Sequence, residues 1–504
     1  MNHRKFFQNA ALLTGTGFLL RGAGLLLRVL LANAMGEAGM GLYSLTFTVY
    51  NLFITLAQSG IGVAITRLTA EYLALREYGR MRGALRGCLK WAALLGGGAG
   101  ACLFFGAPLL AGQWIGEMDC APALRVLAFS LPFMAMAACF NGYFLGCRKV
   151  QPGCLAQTLE QAVRLGLVAL AVGLFRGAGM AHLLAAVVFA NTLSEGASCL
   201  FLAFLAGRER GAAPVPLERG RIRRIALPVA ASRYLSTALH TTENMLIPLA
   251  IAKFSGDYSL GLAQFGALKG MAIPLLFFPA SFLTALSSLL VPEVTETAAR
   301  REWRATGRIV GNALGITVSL SVMIGGIFWV YGERLGQSLY QSATASMMLK
   351  VLAPITPFMY MDTIADGLLK GLDQQGKAFR NNMIDSTLRI LLTAFAVPLF
   401  GIKGFLGVMI FSNILVCSLN MATLLRCCNL SFQWREWFFK PMAALGLATA
   451  LHSLFPFGKG MGQTILGAAL WCGIYLLFYW LTLNEKNSII KRKKEQKIFL
   501  KKKG

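Results

Sequence analysis

Apolar stretches of roughly 20 residues recur along the whole chain, separated by short polar segments. A helix of about that length crosses the ~30 Å hydrocarbon core of a membrane, so the pattern predicts an all-α polytopic membrane protein of about fourteen transmembrane helices. The predicted helices cover residues 7–33, 41–67, 83–111, 121–146, 154–176, 179–206, 223–253, 258–291, 305–331, 345–371, 378–400, 402–426, 437–455 and 461–483.

The polar segments between these helices alternate in charge. Segments 67–90 and 207–224 and the C-terminal tail are strongly basic, whereas the only charges in segment 112–120 are acidic. Cytoplasmic loops of membrane proteins carry an excess of Lys and Arg. The alternation therefore predicts a multi-pass protein of the bacterial cytoplasmic (inner) membrane with both termini in the cytoplasm.

Composition agrees with a chain embedded in lipid along its whole length. Of 504 residues, 56% are hydrophobic and 14% are charged, and the mean hydropathy is +0.60. The net charge of +26 would also suit a nucleic-acid-binding protein, but most cations lie in alternate loops and the tail. Topology explains that distribution and a basic binding face does not, so we expect membrane lipids and no nucleic acid as partners.

Three short matches indicate an internal duplication. They pair Gly36–Leu42 with Gly256–Leu262, Gly142 and Gly146 with Gly367 and Gly371, and Glu160 and Arg164 with Asp385 and Arg389. Because six helices separate the copies, we predict two six-helix lobes related as a parallel repeat around a central cavity, plus two extra helices. The predicted domains are an N-lobe 1–206, a linker 207–222, a C-lobe 223–430, extra helices 431–483 and a basic tail 484–504.

Signatures of catalysis are absent from the sequence. There is no GxxxxGK[ST], GxGxxG, HExxH or GxSxG motif, and the scattered cysteines and four histidines offer no metal-ligand spacing. We expect neither an enzyme nor a cofactor nor a metal. The first apolar run resembles a signal peptide, but Arg21 and Arg28 interrupt it, so we interpret it as a retained membrane helix.

Charged residues inside apolar helices are the candidates for function, because charge is costly in lipid and usually faces an interior cavity. Arg21 and Arg28 lie two turns apart on one helix face and predict a cationic cavity for a phosphate or pyrophosphate. The alternative is that one or both extend their side chains to the membrane interface. Arg233 and Lys269 would form the other wall of the cavity, with Glu243 as counter-ion or proton-linked gate. A static salt bridge that only fixes packing is the alternative for these last three residues.

The remaining intramembrane charges fall into i,i+4 pairs. Glu160 with Arg164, and Asp385 with Arg389, are predicted as structural ion pairs because they occupy the same repeat position. Asp362 with Asp366 could bind Na⁺ or a proton, or pair with Lys370. Glu195 is a weaker candidate for that coupling role.

Several segments resemble the stage V sporulation protein B family of the multidrug/oligosaccharidyl-lipid/polysaccharide (MOP) exporter superfamily. They are residues 62–71, 232–237, 243–248 and 285–293, and Gly142–Gly146 followed by Glu160, Gln161 and Arg164. The resemblance implies two six-helix lobes around a cavity and a flippase for lipid-linked peptidoglycan or polysaccharide precursors, with a role in sporulation. Related lipid II flippases use cations of their first helix, which matches the stretch holding Arg21 and Arg28.

The resulting hypothesis is alternating access to a polyprenyl-pyrophosphate-linked saccharide. Arg21, Arg28, Arg233 and Lys269 would bind the pyrophosphate while the polyprenyl tail stays in lipid. Two rivals remain: a cation-coupled multidrug antiporter, for which an acidic cavity is expected, and a non-transporting scaffold for cell-wall synthesis enzymes, in which Arg21 substitutions would be silent.

Overall fold

The computed structural model describes residues 3–58, 60–175, 177–208, 213–216, 220–454, 460 and 462–481. Helix is the only regular secondary structure among these residues, which confirms the predicted all-α fold. The predicted basic tail 484–504 lies outside the described residues, as do 209–212 and 217–219 of the predicted linker.

The helices follow one another with short connections. In the first part of the chain they are α1 His3–Gln58, α2 Ile61–Ala74, α3 Tyr78–Leu109, α4 Ala121–Ala128, α5 Ser130–Gly146, α6 Gln151–Phe175 and α7 Met180–Arg208. In the second part they are α8 Arg221–Ser255, α9 Tyr258–Phe265, α10 Ile273–Phe277, α11 Ala280–Ala299, α12 Trp303–Tyr340, α13 Ala343–Leu352, α14 Thr356–Gly371, α15 Gln375–Cys428, α16 Lys440–Ser453 and α17 Gly462–Leu481. Short π-helical stretches extend α3 (Leu110–Ile115), join α9 to α10 (Gly266–Ala272) and lead into α16 (Arg435–Phe439).

Within the described residues, 8 segments are long and apolar enough to cross a membrane, or 9 if the bent pair Met118–Ala128 and Ser130–Gly146 forms one span. The chain is therefore a multi-pass membrane protein. The number is lower than the predicted fourteen partly because α1 and α15 each contain two predicted helices in one continuous segment. The total of fourteen crossings stays a prediction.

Glycines set the breaks inside the long helices. Gly36 in α1 (φ 68°, ψ −172°) and Gly401 in α15 (φ 59°, ψ −143°) adopt conformations that side chains disfavour, and both lie where the sequence predicts a boundary. The predicted continuous helix 41–67 is wrong, because Gly60 (φ 68°) interrupts it before α2 begins. The predicted helix 258–291 is likewise wrong, because its π-helical part and the junction before α11 divide it.

By density of internal contacts the chain forms two compact units. One is Met1–Ser281 with Ser386–Phe405, and the other is Phe282–Asp385 with Leu406–Gly504. The predicted lobes are defined instead by helix order and the internal repeat, so that division stays a prediction.

Backbone turns show the duplication directly. Arg76 and Arg301, which are 225 positions apart (301 − 76), both adopt a left-handed φ of 58°. The three hydrogen bonds of the turn after α2 (Leu75 to Glu71, Arg76 to Leu73, Glu77 to Tyr72) recur at the same offset after α11 (Arg300 to Glu296, Arg301 to Ala298, Glu302 to Thr297). Arg148 and Asp373 follow α5 and α14 in the same way, with φ 59° and 57°. A shared backbone geometry at one offset supports duplication of a helical unit.

Close helix packing repeats at this offset as well. A Cβ added to Gly146 of α5 would lie 2.8 Å from the carbonyl oxygen of Thr66 in α2. A Cβ added to Gly371 of α14 would lie 3.1 Å from that of Val291 in α11. Small residues let membrane helices approach closely, and here the same pair of contacts holds each copy together.

Candidate functional site

A break in helical geometry positions the first charged residue of the site. Lys269 lies in the π-helical stretch Gly266–Ala272, and such stretches often occur at functional sites because they re-aim side chains and backbone carbonyls. The stretch packs against α1, where a Cβ on Gly266 would overlap the backbone of Glu37 and Gly41. Glycine at this position therefore allows the direct contact that brings Lys269 next to α1.

Buried Glu243 of α8 is the centre of the site. Its side chain is 2% exposed. Its Oε1 lies 3.9 Å from Lys269 Nζ and 3.6 Å from Arg389 Nη1 of α15, and its Oε2 lies 3.8 Å from His240 Nδ1. Arg28 of α1 donates a hydrogen bond from Nη1 to the backbone oxygen of Lys269 at 3.2 Å. We refer to these five residues as the Glu243 cluster.

The Glu243 cluster carries an excess of positive charge. Lys269 and Arg389 flank the one carboxylate, Arg28 joins them through the backbone of Lys269, and four separate stretches of helix contribute the members. Glu243 Oε1 lies further from the Lys269 ammonium and from the Arg389 guanidinium than an ordinary hydrogen bond allows. This oxygen has no hydrogen-bond partner among the described residues. The cluster is therefore held by charge attraction at this oxygen and not by hydrogen bonds.

The predicted binding residues divide between this cluster and the surface of the chain. Arg28, Lys269 and Glu243 come together. Arg21 of α1 and Arg233 of α8 are exposed and make no hydrogen bond or ion pair within the described residues. Sequence reasoning assigned Arg389 to a local pair with Asp385, and its contact with Glu243 was missed because nothing in the local spacing signals it.

A second polar group lies among the helices of the first copy. Arg164 pairs with Glu160 at 2.5 Å and donates to Ser194 at 3.3 Å. Glu195, which is 4% exposed, accepts hydrogen bonds from Tyr50 at 2.8 Å and from Asn191 at 2.9 Å. Its donors were not anticipated from the sequence, since Tyr50 lies far away along the chain.

Asp362 and Asp366, predicted for coupling, and Asp385, predicted for a structural ion pair, have partners in the second compact unit. Asp366 pairs with Lys370 at 2.6 Å. Asp362 accepts a hydrogen bond from Asn420 at 2.8 Å, and Asp385 accepts one from Ser412 at 2.5 Å. Neither amide nor hydroxyl partner was anticipated, and the roles predicted for these acids remain predictions.

No group of three or more His, Cys, Asp or Glu that could hold a metal ion occurs in the described part of the chain. The Glu243 cluster has one carboxylate facing cations, and cations repel a metal ion. Its chemistry instead suits an anion, because guanidinium and ammonium groups donate charge-assisted hydrogen bonds to phosphate oxygens.

Comparisons with known proteins agree with a membrane transporter fold. The family model described as polysaccharide biosynthesis protein matches residues 6–286. Stage V sporulation protein B of Bacillus subtilis (strain 168) is 24% identical over 514 residues, covering 97% of this chain and 98% of that protein. The lipid II flippase MurJ of the same organism is 19% identical over 433 residues, covering 79% of each.

Two solved structures share the fold at low sequence identity. The lipid II flippase MurJ in an inward closed conformation gives a TM-score of 0.74 at 12% identity, covering 93% of this chain and 98% of that one. An inward-facing multidrug resistance MATE family transporter of the MOP superfamily gives a TM-score of 0.66 at 14% identity, covering 83% of this chain and 96% of that one. With its fold, its apolar helices and the match to more than half its length, the chain belongs to the polysaccharide biosynthesis protein family and shares the MOP transporter fold.

Proposed function

We propose that the chain moves a polyprenyl-pyrophosphate-linked saccharide, a peptidoglycan precursor or polysaccharide repeat unit, across the cytoplasmic membrane by alternating access. The observation that carries this proposal is the Glu243 cluster, in which Lys269 and Arg389 flank one buried carboxylate and Arg28 contacts the backbone of Lys269. Relatives named for sporulation and for lipid II flipping support the class of substrate.

The chemistry of the cluster suits a pyrophosphate. Arg28 and Arg389 offer planar sets of donors, and Lys269 offers a compact positive charge. Glu243 balances part of this charge, since isolated charges are costly in an apolar surrounding. An incoming pyrophosphate would compete with Glu243 for the same cations. We propose that this exchange is how Glu243 acts as counter-ion and gate.

Arg21 and Arg233, both exposed, would contact the substrate on its way to the cluster. Roles in coupling for Asp362 and Asp366 also belong to this proposal. We further propose that both termini lie in the cytoplasm, as the basic loops and tail favour. Alkaline phosphatase fused to the C-terminus would then be inactive in intact cells, and an active fusion would contradict this topology.

The test of function is externalised lipid-linked peptidoglycan precursor in bacteria depleted of their own flippase. We expect the parent chain to restore export. Arg28→Gln and Arg21→Ala should lower it about tenfold or more, because a charge-assisted hydrogen bond contributes about 1.5–3 kcal/mol. Lys377→Gln is the matched control, since Lys377 is an exposed cation outside the cluster.

Each rival function gives a different result. A scaffold would tolerate the Arg28 and Arg21 substitutions as well as the Lys377 control. A cation-coupled antiporter would leave precursor export unrestored and confer dye efflux instead. The described cluster holds more cations than acids, which disfavours binding of an organic cation.

A further inference from the structure

A basic pocket lies beside the first turns of α3. Residues 213–216, from the connection between α7 and α8, run against this helix, and Val215 N–H donates to the carbonyl oxygen of Gly79 at 2.9 Å. Gly83 lacks the Cβ that would overlap the Val215 carbonyl oxygen. The connection therefore lies directly on the helix and forms one side of an open cavity of about 420 Å³.

The residues lining this first pocket carry positive charge only. Arg86 and Lys90 come from α3 and Arg223 from α8, and Trp91 completes one wall. All three cations are exposed, and none makes an ion pair or hydrogen bond within the described residues. Among the described residues that line the cavity these three cations have no neutralising acid, so they repel one another and an anion that enters will be stabilised.

A second pocket occurs beside the first turns of α12. Its volume is about 560 Å³, and its other wall is formed by residues 428–430 and Gln433 after the end of α15. Arg304, Arg308 and Trp303 line it, again without an acidic residue. A glycine again allows close packing of the segment after α15 against α12, since a Cβ on Gly307 would lie 3.3 Å from Leu430 Cδ2.

The two pockets correspond through the duplication. The helices α3 and α12 begin at Tyr78 and Trp303, which differ by the offset of 225 (303 − 78) seen in the backbone turns. In each case the other wall is the connection that leaves α7 or α15, the helix that ends each predicted six-helix repeat. The hollow itself therefore recurs at the related place, whereas its cations lie at different positions: Arg86 and Lys90 of α3 correspond to Gly311 and Gly315 of α12 at this offset.

Helix length favours a position of both pockets near the lipid headgroups. The spans Tyr78–Ile115 and Trp303–Tyr340 have 38 residues each, or about 57 Å at 1.5 Å per residue. This exceeds the ~30 Å hydrocarbon core, so the ends of both helices project beyond it. Tryptophan is enriched at that interface, and Trp303 at the start of α12 fits this pattern.

We propose that each pocket binds the phosphate group of an anionic phospholipid, so that the two copies of the repeat hold one lipid headgroup each. Basic pockets beside membrane helices recognise anionic headgroups through their charge. The acyl chains would lie along the adjoining helix in the membrane. These sites are separate from the Glu243 cluster and do not depend on the transport proposal.

Native mass spectrometry of the purified chain with phosphatidylglycerol tests this proposal. The parent should retain two lipids under activation, one for each pocket. The triple variant Arg86→Gln, Lys90→Gln, Arg223→Gln should retain one, as should Arg304→Gln with Arg308→Gln. The combined variant should retain none. The control Arg67→Gln, Lys377→Gln, Arg380→Gln removes three exposed cations outside both pockets and should retain two.

Three outcomes would overturn the proposal. One is that the pocket variants retain as much phosphatidylglycerol as the parent. Another is that the parent retains zwitterionic phosphatidylcholine as well as it retains phosphatidylglycerol, a comparison that needs no variant. The third is release of phosphatidylglycerol by inorganic phosphate at low concentration, which would assign the pockets to free phosphate instead of lipid. Each variant should elute from gel filtration as a single species, which excludes unfolding or aggregation as the reason for a lost lipid.

Discussion

Replacing Glu243 by Gln should destabilise the protein strongly, although the two side chains have nearly the same shape. The substitution removes the carboxylate that lies 3.9 Å from Lys269 Nζ and 3.6 Å from Arg389 Nη1. At about 4 Å and an effective dielectric constant of ~20, each such attraction amounts to about 4 kcal/mol. Removing one partner of a buried ion pair costs about 3–5 kcal/mol after desolvation is considered.

Partial exposure of the cations sets the expected value at the lower end of this range. The side chains of Lys269 and Arg389 are 23% and 17% exposed, so solvent screens part of their charge. We expect Glu243→Gln to lower the free energy of unfolding by about 3 kcal/mol. Adding Lys269→Met should restore part of the loss, because it removes one of the two cations left without a counter-charge.

The assay is the unfolding transition in mixed micelles titrated with a denaturing detergent, followed by far-ultraviolet circular dichroism. Glu296→Gln is the matched control. Its carboxylate is only 2.7 Å from Arg300, but the two side chains are 64% and 65% exposed, so we expect a change below about 1 kcal/mol. Equal effects of the two substitutions would refute the reasoning, since burial would then not determine the strength of the charge contacts.

Two further substitutions probe packing and hydrogen bonding by the same unfolding measurement. Gly146→Leu should destabilise by about 1–3 kcal/mol, since its Cβ would lie 2.8 Å from the Thr66 carbonyl oxygen. Gly166→Leu, with no atom within 4 Å of its Cβ, should have little effect, and equal effects would exclude close packing as the cause. Tyr50→Phe should cost about 1–3 kcal/mol because Glu195 loses a buried donor; an unchanged transition would show that this bond contributes nothing.

Local features of the sequence predicted much of the fold. Long apolar runs gave the helices, and Gly36 and Gly401 stand where boundaries were expected. The repeated glycines were visible as sequence matches and proved to be packing contacts, as at Gly146 and Gly371. Such features are predictable because they depend on residues within a few turns of one helix.

Contacts between distant helices could not be predicted in the same way. The sequence grouped Arg28, Glu243 and Lys269 as one candidate site, yet it assigned Arg389 to its own helix. Which neighbour a side chain reaches depends on helix crossing angles and on local departures such as the π-helical stretch that carries Lys269. Neither the crossing angles nor these local departures leave a pattern in the hydrophobic positions. The two basic pockets were missed for the same reason.

The two copies of the repeat use one charged position differently, and this difference is informative. In the first copy Arg164 pairs with Glu160 of its own helix, which ties charge to local structure. At the equivalent position of the second copy, Arg389 lies 3.6 Å from Glu243 of another helix. A bound anion that competes for Arg389 would therefore change a charge contact between helices, whereas the charge partner of Arg164 lies on its own helix. A ligand shifts a conformational equilibrium only through contacts that differ between the states. We therefore expect substrate occupancy to be linked to helix movement through the second copy, at Arg389.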